Sequence, residues 1–116
     1  KAALYLVSGS LGAGTTAYSA TSEVSGTNYV AGGVAVTNAT APTTSGTTAF
    51  WTPSASIVYT TVTLSTAFDT VLVYNSTAAG SNAVGVYTFG PQTVTAGTFT
   101  ITMPANDSTH ALIQLA

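Results

Sequence analysis

Three observations predict an all-β fold, a two-sheet antiparallel β-sandwich of jelly-roll type with about eight strands. Val, Thr, Ile, Tyr and Phe, which suit a pleated, half-buried surface, recur in short runs. Clusters of Gly, Ser, Asn and Pro separate those runs at close intervals. No stretch carries the 3.6-residue apolar period of a long helix, and no repeat period suggests a solenoid. At 116 residues the chain fits one domain, 1–116, long enough to bury a core without disulfide or metal staples.

The first strand is expected at 2–8, where AALYLVS forms an apolar run. Residues 11–27, rich in Gly, Thr, Ser and Ala, have no strand pattern and read as a loop or an arm. Gly9, Gly12 and Gly14 lack the phosphate-loop spacing and the lysine that follows it, so they supply flexibility only. The run NYVAGGVAVT predicts a strand over 28–37, with Gly32-Gly33 as a bulge or bend inside it. APTTSG, 41–46, is a loop by content, because proline fixes one turn position and glycine supplies a positive φ.

Two further strands are expected at 47–52 and 55–64. Strands at 70–75 and 83–89 flank NSTAAGSN, which reads as the turn of a hairpin. Gly90-Pro91 is expected to stop the second of these, since proline has no N–H for a ladder. In TFTITM, 98–103, alternation sends Phe99, Ile101 and Met103 one way and Thr98, Thr100 and Thr102 the other. The turn-rich stretch Pro104-Ala-Asn-Asp-Ser108 then leads into a last strand at 110–115, HALIQL.

Charge is the most informative feature of the composition. Only 3% of residues are charged, against roughly 25% in a typical soluble domain. The inventory is Lys1, Glu23, Asp69 and Asp107, with His110 the single histidine. Nucleic-acid binding is excluded, because neutralising phosphates takes a basic surface and this chain has no arginine and one lysine. A membrane-spanning helix is not expected, since Thr, Ser, Gly or Asn interrupts every apolar run well short of the roughly 20 residues it needs. The apolar run 2–7 is likewise too short for the core of a signal peptide.

Candidate chemistry is sparse, and no enzyme and no cofactor are expected. The chain has no cysteine, so disulfides and thiol chemistry are out. One histidine cannot build a zinc shell, and Asn106 with Asp107 lacks the spacing of a calcium loop. Asp107-Ser108-Thr109-His110 contains the residue types of a hydrolytic triad, but neighbours in one turn cannot line up acid, base and nucleophile. The cluster reads as a polar turn closed by Asp107 or Ser108. The acids Glu23, Asp69 and Asp107 form no preferred pair for glycoside hydrolysis, so solvation is their expected role, with Asp69 flanking a strand start. Asn38, Asn75 and Asn106 begin glycosylation sequons, a weak signal in a chain so rich in Ser and Thr. Tyr59, Tyr74 and Tyr87 lie inside apolar runs and read as core or rim, whereas Trp51, between Phe50 and Thr52-Pro53, is the best candidate for an aromatic contact with a partner.

A neutral, moderately hydrophobic chain has little electrostatic repulsion to hold copies apart. Its strand edges also lack most of the charges that guard edges in monomers. A homo-oligomer or array component is therefore expected, with the threonine row Thr98, Thr100, Thr102 and Trp51 as interface candidates. Threonine holds a strand extended, and its hydroxyl is buried at lower cost than Lys or Glu.

The succession YVAGG (29–33), VLVYN (71–75), VYTFG (86–90), GTFTITMP (97–104) and ALIQL (111–115) resembles a family of small virion structural proteins of tailed bacteriophages. The likeness covers most of the chain after Asn28 and takes these elements in order. Members of that family are more charged, and FWTPSASIVYTTVTL follows their pattern only loosely. The resemblance implies a capsid decoration or cement subunit on the capsid surface, or a tail-associated one. Its partners would be the major capsid protein and/or copies of itself, and no catalytic residues are implied. Two other readings fit the composition: a tail or fibre module that binds host glycans through Trp51, and a surface-layer or filament subunit.

Overall fold

The computed structural model describes residues 1–116 and contains six strands and no helix. These are β1 (Ala2–Leu6), β2 (Thr43–Ser45), β3 (Thr48–Trp51), β4 (Ile57–Tyr74), β5 (Ala83–Ile101) and β6 (Ile113–Leu115). They form two antiparallel three-stranded sheets, ordered β1-β4-β5 and β2-β3-β6. The chain divides into two compact units, Lys1–Ala35 with Tyr59–Phe99 and Val36–Val58 with Thr100–Ala116.

In the first unit β4 is the central strand, and its neighbour β1 is set by the pairs Ala2↔Val73, Ala3↔Leu72, Leu4↔Val71 and Tyr5↔Thr70. Every residue of Ala2–Tyr5 is buried, and so is every residue from Thr70 to Tyr74. Both sequences are continuous apolar runs because both faces of the sheet are covered there, which removes the alternation of a half-exposed strand. Ala3, Tyr5, Leu72 and Tyr74 form a core cluster against which Leu11, Tyr18, Ala83 and Val86 pack. A second, aromatic group centres on Phe68, which meets Phe89 and Phe99 edge-on at 6.0 and 5.0 Å between ring centroids.

In the second unit β3 is central and pairs with β2 and β6 through Ala49, Phe50 and neighbours. Phe50, Thr52 and Ala111 are buried, and the Leu112 N–H donates to Thr52 Oγ1 at 2.9 Å. The β2–β3 turn closes on Gly46 at φ 58°, the left-handed conformation that glycine adopts freely.

All-β composition, antiparallel pairing and two sheets match the sequence expectation; the strand list does not. The expected strands 55–64 and 70–75 are one strand, β4, although Ser65, Ala67 and Asp69 are weak strand formers. Pairing with β5 on one side, and with β1 from Phe68 to Val73 on the other, keeps the strand continuous past them. Likewise 83–89 and 98–103 merge into β5, and Gly90-Pro91 does not stop it. Because β5 lies at a sheet edge, a missing N–H is tolerated on its open side.

The expected strand 28–37 is absent. Gly32 and Gly33, at φ 86° and 68°, bend the chain, leaving one bridge in which Ala2 and Val34 exchange both N–H···O bonds. The bend is obligatory at Gly33, where a Cβ would lie 1.7 Å from the Ala2 carbonyl oxygen. The expected loop 41–46 contains the short β2, and the final strand is only Ile113–Leu115. Residues 11–27 hold no strand and attach to unit one through the bridges Tyr5↔Glu23, Ala17↔Asn82 and Thr27↔Thr63.

Candidate interaction surface

β5 is 19 residues long and contains no Asp, Glu, Lys or Arg. None of its residues is fully buried, in contrast to β4 beside it. At its start the edge is partly covered, because Ala83 N–H donates to Thr16 O and Ala17 bridges Asn82. A groove of about 400 Å³ runs there between Leu11–Thr15 and Ala83–Thr88. Farther along, β4 is the only strand that β5 pairs with, so its other edge is open.

The threonine row is placed as the alternation predicts. Thr98 and Thr100 are exposed on β5 while Phe99 and Ile101 are half-buried; Thr102 and Met103 continue the pattern just past the strand end. Upstream, Thr93 and Thr95 are exposed and Val94 is half-buried. Ala96, at φ 46°, shifts the alternation by one residue, so the threonines on both sides of it share the exposed face. Exposed threonines therefore line β5 from Thr93 to Thr100, a surface of hydroxyls and methyls without charge.

Trp51 does not join this row; it belongs to β3, opposite Ile113. Its ring is half-buried, and its indole N–H is shared between Asn38 Oδ1 at 2.9 Å and Thr40 O at 3.0 Å. The same bond occupies the side-chain carbonyl of the Asn38 sequon.

Asp107 and His110 come together as a turn. Asp107 Oδ1 accepts from the Thr109 N–H at 2.8 Å, the Thr109 hydroxyl at 2.7 Å and the His110 N–H at 2.8 Å, and pairs with His110 Nδ1 at 2.9 Å. The Thr109 bonds, more than those of His110, hold the Asp107 carboxyl well below the usual carboxylate range. Thr109 Oγ1 and Asp107 both crowd Nδ1, and the cluster is exposed.

Glu23 overturns the expectation of a solvating acid. Half-buried, it accepts the Tyr18 hydroxyl on Oε2 at 2.6 Å and the Tyr29 hydroxyl and Gly32 N–H on Oε1, each at 2.7 Å. Charge-assisted bonds of this kind are the strong ones, and three of them satisfy the carboxylate without a cation. Tyr29 Oη also accepts from the Leu4 N–H at 3.0 Å, which ties the cluster to β1. Around it Tyr18 stacks on Tyr74 at 4.8 Å, Tyr74 Oη donates to Gly32 O, and Tyr5 Oη donates to Ser19 O at 2.6 Å.

Every tyrosine here holds its proton more tightly than in water. Burial, then the bond to Glu23, pushes the Tyr29 hydroxyl far up; for Tyr18 the Glu23 bond comes first. Burial raises Tyr5 to about 12. Asp69 also departs from its expected place, since it lies half-buried within β4 and accepts the Thr70 hydroxyl at 2.8 Å. The usable sequence signal for Glu23 was a lone acid with no basic residue nearby and tyrosines five residues before and six after it.

No family model matches the chain, and no curated protein or solved structure does.

Proposed function

We propose that the chain is a non-enzymatic structural subunit of a phage virion, most economically a decoration or cement protein. It binds the major capsid protein and/or copies of itself through uncharged contacts. The observation that carries this reading is β5: a long edge strand, free of charge, lined by exposed threonines from Thr93 to Thr100. Monomeric proteins guard such edges with Lys, inward charges or a covering segment, and here, beyond the start that Thr16 and Ala17 cover, only Pro91 and the irregularity at Ala96 interrupt it. The resemblance of 29–33, 71–75, 86–90, 97–104 and 111–115 to virion proteins supplies the setting. The jelly-roll sandwich read from the sequence belongs to the same proposal.

A contact built on hydroxyls and apolar area is not screened by salt, whereas an ionic one weakens as the Debye length shrinks. Purified particles washed at rising ionic strength should retain this subunit as long as their other structural proteins. Its selective release at moderate salt, or its absence from purified particles, overturns the reading.

A further inference from the structure

We infer that β5 pairs, edge to edge and antiparallel, with β5 of a second copy of this chain, Thr95 opposite Thr98 and Thr93 opposite Thr100. The inference deepens the assembly reading above by naming the partner and the register. It starts from the sequence Thr93-Val-Thr-Ala-Gly-Thr-Phe-Thr100, which is nearly palindromic about the Ala96–Gly97 bond. Two identical strands related by a two-fold axis perpendicular to the sheet keep each residue on its own face, so opposed residues must share a face. In a regular strand Thr95 and Thr98 would point to opposite faces. The left-handed Ala96 removes that conflict: Thr93, Thr95, Thr98 and Thr100 are all exposed, while Val94 and Phe99, which oppose each other in this register, are both half-buried.

The ends of the pairing coincide with the ends of what β5 can offer. Gln92 opposes Ile101, the last residue of the strand, and the next position out is Pro91, which has no N–H to give. The strand carries no charge, so a copy of itself meets no like-charge repulsion, and opposed threonines are a favourable cross-strand pair. A charged partner strand would find no counter-charge here. The paired segment is only about 30 Å long at ~3.3 Å per residue. It buries far less than the roughly 800 Å² per partner of a free-standing interface, which suits a contact repeated in an array.

The absence of native cysteine allows a direct test. Thr95→Cys and Thr98→Cys proteins, one carrying a mass tag, are mixed at high concentration under mild oxidation; Thr93→Cys with Thr100→Cys is the second matched pair. Opposed Cβ atoms lie about 5 Å apart, close to disulfide reach, so matched mixtures should cross-link about tenfold faster than the mismatched Thr93→Cys with Thr98→Cys. Equal rates in all mixtures, or rates no higher than for Thr47→Cys with Ser76→Cys away from β5, overturn the inference. The same proteins, reduced, are sedimented with particles. Retention without matched cross-links removes the pairing and leaves the cement reading; matched cross-links without retention do the reverse.

Discussion

Two neighbouring strands of one sheet, β4 from Thr70 to Tyr74 and β5 from Gln92 to Ile101, lack charge for different reasons. In β4 Val71, Leu72, Val73 and Tyr74 are all at most 5% exposed, so the dielectric cost of burying a charge suffices to exclude one. In β5 the threonines face outward, and burial within the chain excludes nothing. The lesson is that the same charge-free composition is a folding requirement in one strand and a surface property in the other. On the reading proposed above, a partner accounts for the second.

The sharpest way to break the comparison is to remove bulk from each strand. Leu72→Ala takes a fully buried side chain from between Ala3, Tyr5 and Tyr74, and should cost about 2–5 kcal/mol of unfolding free energy in a denaturant titration. Val84→Ala, on β5 and 46% exposed, should cost well under about 1 kcal/mol by the same measurement. Equal losses would mean that β5 is as much core as β4.

The next effect comes from what holds residues 18–33 to β1. Glu23→Gln keeps the size of the side chain but removes the charge that receives Tyr18, Tyr29 and the Gly32 N–H, and its amide adds donors where only acceptors are wanted. A loss of about 1.5–3 kcal/mol is expected, and β5 variants should show none of it. The same cluster sets an alkaline limit. The pKa of each of its tyrosines, Tyr5, Tyr18, Tyr29 and Tyr74, is raised on folding, so its contribution to stability is complete below the ordinary value of 10.0 and declines as pH rises through the folded values, Tyr5 at about 12. Unfolding free energy measured along that range should fall as phenolate absorbance rises. Ionisation of Tyr5, Tyr18, Tyr29 and Tyr74 without loss of structure would contradict the bonding described.

How much of this was legible in the sequence depended on the range of the interactions. The β1 run, the 75–82 hairpin and the face of Thr98 and Thr100 follow from local pattern, and the Asn75 N–H to Asn82 O bond of 2.8 Å closes that hairpin. The continuity of β4 and β5 is hidden in the sequence, because Ser65, Ala67 and Asp69 favour a strand weakly and Gly90-Pro91 breaks one, and the ladder beside them overrules both. The sequence marks Gly32-Gly33 as a bulge or bend, but the extent of its effect on 28–37 comes from the Ala2 carbonyl, 31 positions before Gly33. Glu23 was missed because its value depends on three donors that converge only after folding.

The smallest effect on the isolated chain is the most telling for the comparison. Thr100→Lys and Thr98→Lys place a charge on the exposed face of β5, where nothing in the chain opposes it, so unfolding free energy should stay within about 0.5 kcal/mol of the parent. If the threonines face only water, assembly should be equally indifferent. If they face another subunit, the ammonium must be desolvated without a counter-ion, because β5 has none to offer and the nearest copy would bring the same strand. Retention on particles and matched cross-linking should then both fall by an order of magnitude or more while the melting curve is unchanged. Thr100→Ser, which keeps the hydroxyl and the neutrality, should behave as the parent in all three measurements. A lysine variant that assembles normally would return the threonine row to ordinary surface and leave β5 no different in kind from any exposed edge.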